Sequence, residues 1–168
     1  MTNFFLGGFA AILLAVALVI DRRMTNLLLG CFAAFLLAVA LVIAWLLGIT
    51  LLYPNGALAA HIIERADIVK AHIDFLMMAQ FLILFFVGFH LLELVPPAWL
   101  VGCICFGAFA NPLGFLMRGL REKPIVPVEP HFPAMALLSF SLTTLGFLGA
   151  IFLILHASWK AWSARRFA

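Results

Sequence analysis

Charged residues are scarce in this chain. Of its 168 residues only 10% are charged and 67% are hydrophobic, whereas a soluble domain carries about 25% charged residues. A chain with so few charges cannot cover a water-facing surface, which excludes a soluble globular domain. The basic residues form no run long enough to indicate nucleic-acid binding.

Cysteine frameworks and the motifs of soluble enzymes are also missing. The sequence contains no glycine-rich nucleotide loop, no hydrolase nucleophile elbow and no zinc-ligand spacing. Its three cysteines lie inside apolar runs, where they are expected to be small hydrophobic residues rather than disulfide partners. Cys103 and Cys105 are two positions apart, so on a helix they point in different directions and make a poor metal pair.

The sequence does contain five long apolar stretches. About 20 apolar residues are enough to cross the hydrocarbon core of a bilayer. Turn signals at Tyr53-Pro54-Asn55-Gly56 and at Pro96-Pro97 help to delimit the stretches, which are Phe4–Ile20, Leu27–Leu52, Ala71–Val95, Ala98–Leu116 and Ala134–His156. The pattern predicts an all-α integral membrane protein with a four-helix transmembrane core and an extra N-terminal hydrophobic segment.

The N-terminal segment is a near copy of the next apolar stretch. Residues 1–20 repeat as residues 24–43, with 16 of 20 positions identical. We therefore divide the chain into a duplicated segment, residues 1–23, and a transmembrane domain, residues 24–168. The segment could be a fifth span, a signal anchor or a continuation of one long helix. By analogy with small bacterial membrane enzymes, we expect the inner membrane, with both ends of the core in the cytoplasm.

Ionisable side chains within a span are candidates for function because each is costly in lipid. They concentrate in the third apolar stretch, which holds His72, Asp74, His90 and Glu93. His72 and His90 are 18 residues apart, which is five helical turns and about 27 Å, so they cannot share one metal ion. We expect His90 and Glu93 to reach the membrane surface at the far end of this span.

His72 is the strongest candidate ligand. It lies at the start of the predicted span beside apolar side chains and the small Ala79, which suits axial ligation of haem. The alternative is an interfacial histidine bonded to a loop. Asp74 is either a pocket residue or a structural one that interacts with the helix N-terminus or with Lys70.

Asn111 is the polar candidate in the fourth stretch. It precedes Pro112, which frees a backbone carbonyl inside the helix. Its amide is therefore available within the bundle, or else it satisfies the proline kink. Phe109 and Phe115, one on each side of Asn111, are candidates for an aromatic wall.

The order and spacing of these features resemble the styrene-oxide isomerase family. These are small trimeric membrane enzymes with four core helices and a b-type haem held by a histidine. The resemblance covers nearly everything from Arg22 onwards. It rests on short motifs in the same order: Arg23-Met24 before the first core span, Ala71-His72 at the head of the second, Ala110-Asn111 in the third, and Ser139-Phe140 after a proline-rich loop.

The resemblance implies specific roles for individual residues. His72 matches the histidine that ligates the haem iron, and Asn111 matches a catalytic asparagine that orients the substrate. A substrate pocket would then include Phe109, Phe115, Met78 and Asp74. Three family positions differ here: an aspartate is replaced by Gly107, a tyrosine by Phe115 and an asparagine by Met78. Most of the polar shell that orients the substrate in the family is therefore missing.

The predicted function is conversion of an aryl epoxide-like substrate to an aldehyde or ketone. Ferric haem b would polarise the epoxide oxygen as a Lewis acid, and a 1,2-shift would follow ring opening. The expected partners are the lipid bilayer, a small hydrophobic substrate and further copies of the chain in a homotrimer. Two alternatives remain: a haem-binding membrane protein without isomerase activity, such as a sensor or electron carrier, and a cofactor-free structural or transporter subunit.

Overall fold

The structure, a computed structural model, describes residues 24–121 and 134–166. These residues form helices and no strand, which confirms the predicted all-α fold. The helices are α1 (Met24–Leu52), α2 (Ala57–Ala60), α3 (Arg65–Leu91), α4 (Ala98–Gly119) and α5 (Ala134–Arg166). The predicted N-terminal hydrophobic segment, residues 1–23, lies outside the described ranges.

Four of these helices are long and apolar enough to cross a membrane. The shortest of the four, α4, has 22 residues and measures about 33 Å, slightly more than the roughly 30 Å of a bilayer's hydrocarbon core. The predicted four-helix transmembrane core is therefore confirmed.

The four long helices pack mainly as successive antiparallel pairs, α1 with α3, α3 with α4, and α4 with α5. Helix α4 has the largest buried share and α5 the smallest. The core between them is apolar, with fully buried side chains from three helices that include Leu36, Phe75, Leu82 and Ile104. Much of the surface of α5 therefore lies outside the bundle.

The predicted boundaries of the third apolar stretch are wrong. The sequence predicts Ala71–Val95, but α3 begins six residues earlier, at Arg65, and ends at Leu91. The polar residues of its first turns have partners that favour the helix. Asp67 accepts a hydrogen bond from Lys70 at 3.2 Å and lies 3.5 Å from the Arg118 guanidinium of α4. His72 is therefore two turns inside the helix rather than at its start.

The boundaries of the other long helices agree with the sequence to within three residues, except at the end of α5. The turn before α2 is confirmed, because the backbone N–H of Gly56 donates to the carbonyl of Tyr53 at 3.0 Å. Helix α5 continues ten residues beyond the predicted end at His156. With 33 residues it is about 50 Å long, so its last turns extend past the hydrocarbon core. They carry Trp162, whose ring lies 3.7 Å from the guanidinium carbon of Arg166.

Candidate functional site

His72 lies on the side of α3 that packs against α1. Its Nδ1 atom is 3.0 Å from the carbonyl oxygen of Ala40 on α1. A carbonyl oxygen only accepts hydrogen bonds, so Nδ1 donates and carries a proton. In the neutral imidazole the other nitrogen, Nε2, then keeps its lone pair, which is the usual arrangement for a histidine that ligates a metal. The side chain is half-buried between the two helices.

Four phenylalanine rings form a cluster where α1, α3 and α4 meet. The ring centroid of Phe109 on α4 is 6.5 Å from that of Phe32, 6.0 Å from that of Phe35 and 6.2 Å from that of Phe75. Phe75 is fully buried and lies about one turn beyond His72 on α3. The structure therefore places Phe109 in an aromatic cluster close to the turn that carries His72.

Asp74 lies on the opposite side of α3 from His72. The two residues are about 200° apart around the helix axis. Asp74 instead shares a stripe with Phe81, which follows it by two turns and contacts Phe147 of α5 with ring centroids 5.5 Å apart. The stripe that carries Asp74 therefore faces α5.

The carboxylate of Asp74 interacts with neither of the partners that the sequence predicts for it, the helix N-terminus and Lys70. It lies in the third turn of α3, beyond the reach of the helix N-terminus, and Lys70 is bonded to Asp67. Its Oδ2 atom is buried and has no hydrogen-bond partner among residues 24–121 and 134–166. A structural interaction with the helix N-terminus or with Lys70 therefore does not account for Asp74.

Asn111 faces α5, because it shares the stripe of α4 that packs on that helix. A Cβ atom placed on Gly107 would lie 2.7 Å from the Cα and 2.8 Å from the backbone nitrogen of Thr143. One placed on Gly146 would lie 2.9 Å from the backbone nitrogen of Ile104. Asn111 follows Ile104 by seven residues and Gly107 by four, so all three belong to one stripe.

This close approach concerns the position where the resemblance to the styrene-oxide isomerase family predicts an aspartate. Where that family has an aspartate, the backbone of α5 occupies the space that a side chain on Gly107 would need. An aspartate could enter only if the two helices moved apart. The tight packing of α4 and α5 therefore leaves no room for an aspartate at position 107.

Phe115 and Met78 lie in different surroundings. The Phe115 ring is 4.7 Å from the guanidinium carbon of Arg118, in the last turns of α4, and belongs to a different group from the Phe109 cluster. Met78 is 6% exposed and lies in the bundle core, one turn beyond Asp74.

The structure thus divides the predicted site residues between two sides of α3. His72 and Phe109 lie on the side of α1. Asp74, Met78 and Asn111 lie towards α5. Within one chain, Asn111 does not face a ligand bound at His72.

Sequence reasoning missed Ser139 as a candidate, because a serine in a span is usually a helix–helix hydrogen bond. Ser139 is 3% exposed, and its Oγ has no partner in the described part of the chain. The available signal was a stripe of small residues along the last apolar stretch, Ser139, Thr143, Gly146 and Ala150, which favours close helix contact.

No three His, Cys, Asp or Glu side chains within the described ranges are placed to hold a metal ion together. Haem iron takes four ligands from the porphyrin and needs only one or two from the protein. A single well-oriented histidine is therefore a sufficient donor set for haem.

The outer side of α5 carries an open groove of about 650 Å³. It is lined by residues of α4 and α5: Trp99, Phe140, Ser141, Thr144, Leu145, Leu148, Gly149 and Phe152. None of the site residues predicted from the sequence lines this groove.

We compared the chain with protein-family models, with curated proteins and with solved structures, and none of the three comparisons finds a match.

Proposed function

We propose that this membrane protein binds haem b through Nε2 of His72 and isomerises a small lipophilic epoxide to an aldehyde or ketone. The hydrogen bond from His72 Nδ1 to the Ala40 carbonyl carries the proposal. This hydrogen bond fixes the ring between α1 and α3. It leaves the lone pair of Nε2 available to ligate a metal ion. A hydrogen bond of this kind also makes the ligating nitrogen more basic.

The other histidines of the described chain lie elsewhere in the bundle, so His72 alone would hold the iron. His90 is at the far end of α3, where it stacks on Phe86 with ring centroids 6.1 Å apart. His156 stacks in the same way on Phe152 of α5. His61 is exposed at the end of α2. With His72 as the only protein ligand, the haem would supply Lewis-acid chemistry rather than the electron transfer that two strong protein ligands favour.

When bound, ferric haem would supply a Lewis acid for the epoxide oxygen. The chain's own contribution would be to hold the iron through His72 and to exclude water with the cluster of Phe32, Phe35, Phe75 and Phe109. Exclusion of water matters because an opened epoxide reacts with water to give a diol. The wall is aromatic and without polar groups, so it favours a flat apolar substrate.

Arg65 is a candidate partner for a haem carboxylate. It precedes His72 by two turns on the same stripe of α3. Its guanidinium donates to Thr50 Oγ1 at 3.1 Å and to the Leu47 carbonyl at 3.0 Å, so it is held beside α1. Haem bound at His72 would thus have the positively charged Arg65 side chain on its side nearer the membrane surface.

The first test is the visible absorption spectrum of the protein purified in mild detergent and supplied with haem. The wild type is expected to show a Soret band that His72→Ala loses. His90→Ala is the matched control, because it removes a histidine from the same helix but outside the proposed site. A wild type that stays colourless would refute haem binding, and an unchanged band in His72→Ala would refute the ligand.

Isomerisation is tested separately, by assaying aryl epoxides for aldehyde or ketone formation. Phe109→Leu is expected to lower turnover while keeping the Soret band. Asn111→Ala tests the role implied by the resemblance, and unchanged turnover would remove Asn111 from the reaction. A haem-loaded protein without turnover would favour the sensor or carrier alternative. The homotrimer and the bacterial inner membrane belong to this proposal as well, and the mass of the detergent-solubilised complex tests the trimer.

A further inference from the structure

Two buried oxygen atoms on neighbouring helices lack hydrogen-bond partners. These are Oδ2 of Asp74 on α3 and Oγ of Ser139 on α5, and neither is bonded to any described residue. A third such atom, Oδ1 of Asn26, lies near the start of α1. Unsatisfied polar atoms inside a protein cost free energy and call for an explanation, such as a bound ligand.

The contacts between helices place Asp74 and Ser139 at the same level of the bundle. Helices α3 and α5 run in the same direction, and Phe81 meets Phe147, while Gly88 meets Ile154. In both pairs the residue of α5 is numbered 66 higher than its partner. Phe147 also meets Phe85, with ring centroids 5.1 Å apart and an offset of 62. These offsets put Asp74 level with residues 136–140, a range that includes Ser139.

The register of α4 and α5 brings Asn111 to the same level. These helices are antiparallel, and Gly107 of α4 lies against Thr143 of α5. One turn further along α4 is Asn111, and one turn back along α5 is Ser139. Asp74, Asn111 and Ser139 therefore come together at one level where α3, α4 and α5 meet.

Asp74 Oδ2 and Ser139 Oγ do not bond to each other, so each can still accept a hydrogen bond from a ligand atom. A ligand of the ionised Asp74 carboxylate must donate hydrogen bonds, because an ionised carboxylate only accepts them. It should also be cationic, because an uncompensated carboxylate inside a membrane protein is costly. A primary ammonium group has three N–H donors and one positive charge. The carboxylate, the hydroxyl and the amide oxygen of Asn111 would supply three acceptors.

We propose that Asp74, Ser139 and Asn111 form a binding site for the ammonium group of a small primary amine. The core limits the size of the ligand, since Met78 is buried one turn further along α3 and the Phe81–Phe147 ring pair lies beyond it. The site lies about 6 Å beyond Lys70 along α3 and about 10 Å beyond Arg118 along α4. An amine from the water at that face would reach it within two helical turns.

The site is separate from the proposed haem site. Asp74 and His72 lie on opposite sides of α3, so loss of one does not remove a contact of the other. Asp67, the other acidic residue of α3, already has Lys70 and Arg118 as partners. It is therefore the matched control: a carboxylate of the same helix whose charge is compensated by the protein.

The experiment measures thermal unfolding of the protein in detergent with increasing methylammonium chloride. Tetramethylammonium chloride at equal ionic strength is the reference salt, because it carries the same charge without N–H donors. Methylammonium is expected to raise the unfolding temperature of the wild type in a saturable way, and tetramethylammonium is not. Asp74→Asn should weaken the apparent affinity by about tenfold or more, since it removes the buried charge partner.

Two further variants keep the result interpretable. Ser139→Ala should weaken methylammonium binding less than Asp74→Asn, and it can replace that variant if Asp74→Asn does not fold. Asp67→Asn should leave the affinity unchanged. The proposal is overturned if methylammonium and tetramethylammonium act alike, if sodium chloride gives the same saturable shift, or if Asp67→Asn weakens binding as much as Asp74→Asn.

Discussion

The contact at Gly107 gives the sharpest prediction for stability. In Gly107→Ala the new methyl group would lie 2.7 Å from Thr143 Cα and 2.8 Å from its nitrogen. Carbon atoms in contact prefer a separation of about 3.5–4.0 Å, so α4 and α5 must separate by roughly 1 Å. The new methyl group also meets the Thr143 hydroxyl, which could rotate away only by giving up its hydrogen bond to the Ser139 carbonyl. The other two atoms belong to the backbone, which cannot swing aside as a side chain does. Overpacking of this kind costs about 1–3 kcal/mol, and we expect the upper half of that range.

Gly114 on the same helix provides the matched control. A Cβ atom there meets nothing within 4 Å. Both glycine-to-alanine changes gain about 1 kcal/mol of helix propensity, so this gain cancels when the two variants are compared. The difference between Gly107→Ala and Gly114→Ala therefore measures the steric cost alone, which we expect to be about 2–3 kcal/mol.

The assay is reversible unfolding in mixed micelles, followed by circular dichroism, with all variants under the same conditions. Gly107→Asp, which introduces a larger and polar side chain at the same position, should be less stable still. If Gly107→Ala and Gly114→Ala differ by less than about 0.5 kcal/mol, the close approach of α4 and α5 is wrong. Packing against α5 would then not account for the absence of a side chain at position 107.

Two other predictions rest on local geometry. Glu93 has a φ of 52°, in the left-handed region that only glycine adopts freely. Glu93→Gly should therefore stabilise the fold by up to about 1 kcal/mol. A loss of stability in the same unfolding assay would contradict this prediction. Arg65→Gln removes two hydrogen bonds to α1 and should cost about 1 kcal/mol, whereas Lys70→Gln, at a side chain 58% exposed, should cost less than about 0.5 kcal/mol. Equal effects at Arg65 and Lys70 would show that the contact with α1 contributes nothing.

Hydropathy was sufficient to predict the spanning helices, because lipid requires long apolar runs and allows few alternatives. It was insufficient for the start of α3. Residues such as Arg65 and Asp67 are polar, which is typical of a loop. They are helical because each finds a partner on a neighbouring helix, Arg65 on α1 and Asp67 at Arg118 on α4. Such partners are visible only once the helices are packed.

The candidate residues were predictable as individuals but their grouping was not. Periodicity shows that His72 and Asp74 lie on opposite sides of one helix, yet it does not say which neighbour each side meets. That depends on the order in which the helices pack. Asn111 illustrates the consequence, since its polarity and its proline neighbour identified it, and only the contact of Gly107 with Thr143 shows that it faces α5.

The two sides of α3 make the two binding proposals separable in one set of variants. Asp74→Asn should weaken methylammonium binding and keep the Soret band, because Asp74 faces away from α1. His72→Ala should do the reverse, because the Ala40 carbonyl that orients it belongs to α1. If each variant removed both properties, a common loss of packing would be the simpler explanation. A Gly107→Ala protein, perturbed between α4 and α5, should then impair amine binding and leave the haem spectrum intact, since His72 faces α1. That pattern would place the two sites on opposite sides of α3 even before either ligand is seen.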